Sequence, residues 1–114
     1  MSSTEPEGPA ASLRVTPEEA YTRLREHPAW IVERRSIHRD YRFASFRDAV
    51  RFIDAVAEVA EAQAHHPNIT LHEWCFVRLE LYSQLHDCLT QADVDLAVAL
   101  GALQIEPEEP GPTR

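Results

Sequence analysis

Two adjacent histidines, His65 and His66, are the side chains of this sequence best suited to chemistry. They follow an alanine-rich helical pattern, and Pro67 comes directly after them. An imidazole exchanges protons near neutral pH, so such a pair can act in acid–base catalysis. Histidine at a helix C-terminus also interacts favourably with the helix dipole and the free carbonyls, which requires no catalytic function. The pair alone leaves both interpretations open.

A metal site is a third interpretation, because further possible ligands lie nearby in the sequence. They are His72, Cys75, His86 and Cys88. Structural zinc ligands usually come as two cysteines with two to four residues between them or two histidines with three to five. His72-x-x-Cys75 and His86-x-Cys88 resemble these patterns only loosely. Nothing marks either cysteine as an activated nucleophile. We therefore expect neither a metal nor another cofactor.

Composition and charge exclude several classes of function. The 114 residues carry a formal net charge of −8, with 44% hydrophobic and 26% charged residues, as expected for one small globular domain. A negative charge argues against nucleic-acid binding, which needs a basic surface. No apolar stretch approaches the roughly 20 residues of a membrane span, and the N-terminus lacks the regions of a signal peptide. We expect a cytoplasmic protein with no nucleic-acid or membrane partner.

The histidines lie within one predicted domain, residues 15–104. Residues 1–14 and 105–114 concentrate Pro, Gly, Glu and Ser, and we expect them to be flexible tails. Inside the domain, a Thr-Pro-Glu-Glu capping pattern predicts a helix over about residues 17–27. A longer helix is predicted over residues 46–64, and its apolar residues cover most of the circumference. Such a helix needs a second buried surface, so we predict a homodimer or a higher homo-oligomer.

Strand signals lie on either side of the long helix. Segments 29–35 and 37–44 are rich in β-branched and aromatic residues, which predicts two strands. After the histidines, Val77, Leu79 and Leu81 alternate with polar residues, which predicts a half-buried strand with a shorter one before it. A last helix follows the Thr-Gln-Ala-Asp pattern at residues 90–93. The predicted fold is α+β, in the order α-β-β-α-β-β-α, with a four-stranded antiparallel sheet and helices packed on one face.

The stretch YRFASFRDAVRFIDAVAEVAEAQAHHP, residues 41–67, resembles the signature of the pterin-4a-carbinolamine dehydratase family. That family combines an aromatic-rich strand, a helix with this pattern of Phe, Ala and Val, and a His-His-Pro motif. The resemblance extends over about residues 41–100, with Trp74 at an aromatic position and Asp93 at the start of the last helix. The predicted order of elements also agrees with the family.

The resemblance implies an enzyme that uses no metal or cofactor. Such an enzyme removes water from 4a-hydroxytetrahydropterin and yields the quinonoid dihydropterin, with histidines acting as general acid and base. The residues at the family's active-site positions are Glu61, His65, His66 and Asp93.

Four positions depart from the family pattern. Gln84 occupies the position of a third histidine, and glutamine cannot exchange protons near pH 7. His86 lies two residues later and could take that position after a local shift. The other departures are Ala64 for an acidic residue, Ile69 for an aromatic residue and Ala92 for an arginine.

These departures favour a degenerate site and a non-catalytic function. The pattern resembles the pterin dehydratase-like proteins that assist Rubisco assembly in carboxysome-bearing bacteria. The resemblance then implies the Rubisco large subunit as a partner and a carboxysome-associated location, and it leaves open whether residual pterin binding remains. The alternative is an active 4a-hydroxytetrahydropterin dehydratase with an unusual third group.

An arginine-rich segment adds a candidate binding surface. Arg34, Arg35, Arg39 and Arg42 lie close together on an otherwise acidic protein. They could form a docking patch for an acidic protein surface, since guanidinium groups pair with carboxylates. The alternative is an ordinary solvated hairpin.

Overall fold

A four-stranded antiparallel sheet with helices on one side forms the domain. The structure, a computed structural model, describes residues 13–83 and 88–103. Within them, the helices are α1 (Pro17–Arg23), α2 (Phe46–Gln63) and α3 (Gln91–Gly101), and the strands are β1 (Ile31–Val32), β2 (Ile37–Arg42), β3 (Asn68–His72) and β4 (Phe76–Leu81). The strand order is β1-β2-β4-β3, and each neighbouring pair is antiparallel. The predicted α+β fold and element order are confirmed.

Two elements are shorter than the sequence pattern predicts. Helix α1 ends at Arg23, and the strand predicted over 29–35 contains only the two residues of β1. The backbone N–H of Glu33 donates to the carbonyl of Ser36, which closes a tight turn between β1 and β2. This turn uses residues that the β-branched composition had assigned to the strand.

The first described residues of the chain pair with the segment that leads into α3. The backbone of Leu13 accepts a hydrogen bond from Gln91, and Val15 donates to Leu89. Arg14 also forms a bridge with Thr90, so Leu13 and Arg14 of the predicted N-terminal tail lie against the folded domain. The rest of the predicted tails, residues 1–12 and 105–114, lies outside the described part of the chain.

The core lies between the sheet and helices α2 and α3. Alternation along β4 directs Val77, Leu79 and Leu81 toward the helices, and all three side chains are buried, as predicted. Helix α2 packs Phe52 against Tyr41, with 4.4 Å between ring centroids. The opposite side of the sheet carries polar side chains and a phenylalanine. We call it the open face, and its residues are His38, Asp40, Arg42, Asn68, Thr70, His72, Phe76, Arg78 and Glu80.

The buried phenol of Tyr41 makes stability sensitive to alkaline pH. Burial raises the pKa of Tyr41 to about 12, against about 10 in an unfolded chain. The folded state thus holds the phenol neutral; its contribution to stability is complete below pH 10 and is lost as the pH rises through 12. We expect Tyr41 alone to lower the free energy of unfolding by up to about 3 kcal/mol over this range. Urea unfolding at several pH values should therefore show a flatter profile for Tyr41→Phe.

The exposed Tyr21 supplies the control, since Tyr21→Phe should leave the pH profile of the free energy of unfolding unchanged. Equal alkaline losses in wild type and Tyr41→Phe would contradict the assignment.

Candidate active site

The C-terminus of α2 sets the position of the two histidines. Ala64 adopts a left-handed conformation (φ 53°, ψ 38°) that ends the helix. The backbone N–H of His65 donates to the carbonyl of Ala60 at 3.1 Å, so the chain turns back across the last helical turn. His65 and His66 consequently lie between α2 and β3, close to the start of α3.

The left-handed Ala64 provides a prediction about stability. A Cβ in this conformation costs about 1 kcal/mol, and glycine avoids that cost. Ala64→Gly should therefore raise the free energy of unfolding by about 1 kcal/mol. The matched control is Ala62→Gly in the helix, which should lower it by about 1 kcal/mol. Chemical denaturation measures both, and destabilisation by Ala64→Gly would refute the proposed strain.

His65 pairs with a buried carboxylate from α3. Its Nε2 lies 2.6 Å from Oδ1 of Asp93, whose side chain has no exposed surface. The other oxygen of Asp93, Oδ2, accepts from the Thr90 backbone N–H at 2.9 Å and the Thr90 hydroxyl at 3.1 Å. The carboxylate thus holds three donors and joins the beginning of α3 to His65.

His66 pairs with Glu61, in the last turn of α2. Nε2 of His66 lies 2.9 Å from Oε2 of Glu61. Both side chains are largely exposed, at 65% and 76%. Solvent therefore screens this pair, whereas the His65–Asp93 pair is mostly shielded.

The carboxylates determine which ring nitrogens are available. A carboxylate only accepts hydrogen bonds, so Nε2 of His65 carries a proton and donates to Asp93. The lone pair of the neutral ring then lies on Nδ1, and no described residue hydrogen-bonds that atom. The same argument applies to His66 and Glu61. Each histidine is thus oriented by a carboxylate and has a second nitrogen available for proton transfer.

Other predicted site residues lie elsewhere. Gln84 and His86 fall outside the described residues, so their relation to His65 stays a prediction. Trp74 lies at the tip of the β3–β4 hairpin, in a left-handed conformation and 58% exposed. The five residues of β3 separate that tip from the histidines by about 16 Å. Trp74 therefore belongs to a different part of the surface.

The four arginines do not form one patch. Arg39 faces the helices, with its guanidinium carbon 4.6 Å from the centroid of the Tyr41 ring. Arg42 lies on the open face, 5.9 Å from the centroid of Phe76. Arg34 and Arg35 are exposed at the turn between β1 and β2. Because β2 directs successive side chains to alternate faces, Arg39 and Arg42 lie on opposite sides of the sheet. Arg34 and Arg35 are therefore the part of the predicted docking surface that stays together.

Sequence reasoning missed the contact that organises the site. It placed His65 and Asp93 in the site separately, and it read Thr90 only as a helix cap. In the structure the Asp93 carboxylate both accepts hydrogen bonds from Thr90 at the start of α3 and pairs with His65. Asp93 is both the last residue of the capping pattern and an active-site position of the family. This overlap could have predicted a link between the start of α3 and the histidines.

The described residues contain no helix long and apolar enough to cross a bilayer. They also contain no cluster of three or more His, Cys, Asp or Glu side chains that could hold a metal ion.

Comparison with known proteins identifies the family. Residues 13–103 match the family model described as pterin 4 alpha carbinolamine dehydratase. The chain belongs to this family. The match spans both histidines, Asp93 and every described helix and strand, so it confirms the resemblance seen in the sequence.

Curated members of this family are similar in sequence. A putative pterin-4-alpha-carbinolamine dehydratase of Acidobacterium capsulatum is 37% identical over 92 residues, which cover 79% of this chain and 97% of that protein. The mitochondrial pterin-4-alpha-carbinolamine dehydratase 2 of Arabidopsis thaliana is 36% identical over 70 residues. That match covers 61% of this chain but only 37% of the plant protein.

Solved structures share the fold. A transcriptional coactivator/pterin dehydratase from Brucella melitensis superposes with a TM-score of 0.68 at 27% identity, covering 78% of this chain and 96% of that one. A pterin dehydratase-like protein identified as a RuBisCO assembly factor in the alpha-carboxysome gives a TM-score of 0.55 at 23% identity, covering 68% and 92%. At that identity the second likeness concerns the fold alone.

Proposed function

We propose that this pterin dehydratase family member dehydrates a 4a-hydroxytetrahydropterin by acid–base catalysis, with slow turnover. The observation that supports this most is the pair of adjacent histidines, each held by its own carboxylate. The carboxylates orient both imidazoles and leave Nδ1 of each ring available, as acid–base catalysis requires. The sequence departures alone favour a non-catalytic function, but none of them alters either histidine–carboxylate pair.

The reaction requires two proton transfers. The bond between C4a and its hydroxyl oxygen breaks after the hydroxyl is protonated, and water leaves. A proton is lost from the pterin ring, which gives the quinonoid dihydropterin. We assign the ring proton to Nδ1 of His65, because Asp93 stabilises the imidazolium that forms. We assign the delivered proton to the exposed His66 in its imidazolium form: Nδ1 donates it to the leaving hydroxyl, and solvent then reprotonates the ring.

Gln84 explains why turnover would be slow. It occupies the family position of a third histidine, and losing one acid–base group typically costs about 10²–10⁴-fold in rate. The deciding measurement is the rate of carbinolamine dehydration with purified wild type and Gln84→His. We expect wild-type turnover above the uncatalysed rate and a gain of at least about tenfold in Gln84→His.

A second substitution controls for unspecific effects of the new histidine. In a His65→Gln background, Gln84→His should give no comparable gain in dehydration rate, because the site then lacks His65 as its base. If wild-type protein does not exceed the uncatalysed rate, the proposal of catalysis fails.

Assistance in Rubisco assembly is the second candidate function. Gln84 and the exposed Arg34 and Arg35 favour it, since a binding scaffold needs no third acid–base group. We expect co-purification with the Rubisco large subunit, in a carboxysome-bearing host, to weaken when Arg34 and Arg35 are replaced by glutamate. Arg47→Glu on α2 serves as the charge control. Absence of the large subunit from the wild-type eluate would remove this candidate.

Either function fits a homo-oligomer. Phe46 and Val50 of α2 are 56% and 38% exposed, which leaves an apolar stripe on the helix. We expect light scattering to give at least twice the monomer mass of 13.0 kDa and Phe46→Ser to reduce that mass. A monomeric wild-type protein at micromolar concentration would contradict the prediction.

A further inference from the structure

A pocket on the open face lies apart from the histidine–carboxylate pairs. It has a volume of about 450 Å³ and is lined by Asp40, Arg42, Thr70, His72, Phe76 and Arg78, with the backbone of β2 and β4 as its floor. This volume lies in the range of small-molecule sites. Neither His65 nor Asp93 contributes to it, so the proposed dehydration does not use it.

One cation in this pocket, Arg78, is oriented by two hydrogen bonds and has further N–H donors available. Arg78 donates to Asp40 twice, from Nε to Oδ1 at 2.7 Å and from Nη2 to Oδ2 at 2.9 Å. The hydrogen bond from Arg78 holds the pKa of Asp40 below its usual value, so the pair persists at neutral pH. A guanidinium has five N–H donors. The three that remain have no acceptor among the described residues, and they present a fork suited to a second carboxylate.

Two further donors lie beside Arg78. Thr70 is its register partner on β3, and His72 is two residues further along the same face. Within the described part of the chain, neither the Thr70 hydroxyl nor the His72 ring makes a hydrogen bond. Neighbouring strands lie about 4.8 Å apart and same-face residues about 7 Å apart, so one small anion can reach all three side chains.

An aromatic surface borders these donors. The rings of His72 and Phe76 are stacked, with 5.4 Å between centroids and 19° between planes. The Arg42 guanidinium lies 5.9 Å from the Phe76 centroid and brings a second positive charge. A planar ring can extend this stack.

We propose that the open-face pocket binds an aromatic carboxylate. Its carboxylate accepts hydrogen bonds from Arg78, Thr70 and His72, and its ring packs on Phe76.

Benzoate is the probe, and amide chemical shifts in ¹⁵N-labelled full-length protein are the measurement. We expect saturable shifts at Thr70, His72, Phe76 and Arg78, with a dissociation constant on the order of 1 mM. Arg78→Gln should weaken binding at least about tenfold, and Thr70→Val several-fold. The control Arg51→Gln, on α2, should bind like wild type.

Benzamide tests the need for charge and should bind at least about tenfold more weakly than benzoate. No shifts at about 20 mM benzoate would overturn the proposal, since the expected affinity is tighter. Shifts confined to His65 and His66, or equal binding of benzamide and benzoate, would overturn it as well. None of these measurements depends on dehydration. The proposal of carboxylate binding can therefore be refuted while the proposed activity stands, and the proposed activity can be refuted while carboxylate binding stands.

Discussion

Replacing His65 by glutamine should lower the rate of carbinolamine dehydration about 10²–10⁴-fold. A glutamine amide can still donate to Oδ1 of Asp93, which is the hydrogen bond that Nε2 of His65 makes now. It cannot take up a proton from the pterin ring. The substitution therefore separates the proton-transfer function of the side chain from its part in the structure.

His65→Ala provides the structural comparison. It leaves a buried carboxylate oxygen without its donor, which costs about 1–3 kcal/mol of folding free energy. We expect His65→Ala to be the less stable variant by urea unfolding, and both variants to be equally slow. A His65→Gln protein with near wild-type turnover would show that His65 is a structural histidine at a helix end.

The dehydration rate should depend less on the exposed Glu61–His66 pair than on the His65–Asp93 pair. Glu61→Gln removes a carboxylate that is 76% exposed, so solvent already weakens its effect on His66. We expect its dehydration rate to fall less than about tenfold, far less than with His65→Gln.

The sequence was sufficient for the features that depend on local patterns. Alternation at Val77, Leu79 and Leu81 identified the buried side of β4, and the capping patterns located the starts of α1 and α3. The adjacent His65 and His66 were recognisable because they are consecutive and follow a helix. Each of these inferences uses residues at most a few positions apart.

The remaining features depend on contacts between distant segments. The 2.6 Å contact of His65 with Asp93 joins residues 28 positions apart, and Asp40 meets Arg78 across 38 positions. Spacing along the chain cannot show such pairs, because the fold determines them. The predicted arginine patch failed to form one surface for a related reason. Proximity in sequence placed Arg39 and Arg42 together, whereas strand geometry directs them to opposite faces.

Asp93→Asn should slow dehydration about as strongly as the loss of the histidine, by about 10²–10⁴-fold, although it changes only one atom. In the wild type, Oδ2 accepts two hydrogen bonds from Thr90 and Oδ1 accepts one from His65. The backbone N–H of Thr90 can only donate, so the asparagine oxygen should stay at Thr90. The amide NH₂ then faces Nε2 of His65.

This exchange reverses the hydrogen bond to the imidazole. Nε2 of His65 must then accept, so the neutral ring carries its proton on Nδ1 and no longer offers a lone pair to the pterin ring. The imidazole ¹⁵N shifts report this change directly: we expect Nε2–H in wild type and Nδ1–H in Asp93→Asn. A slow variant with the wild-type tautomer would refute the mechanism, because Asp93 would then act by another route. Asp93→Ala leaves the Thr90 N–H unpaired as well, and its free energy of unfolding should be lower by about 3 kcal/mol. Comparing Asp93→Asn with Asp93→Ala therefore separates the effect on the tautomer from a loss of structure.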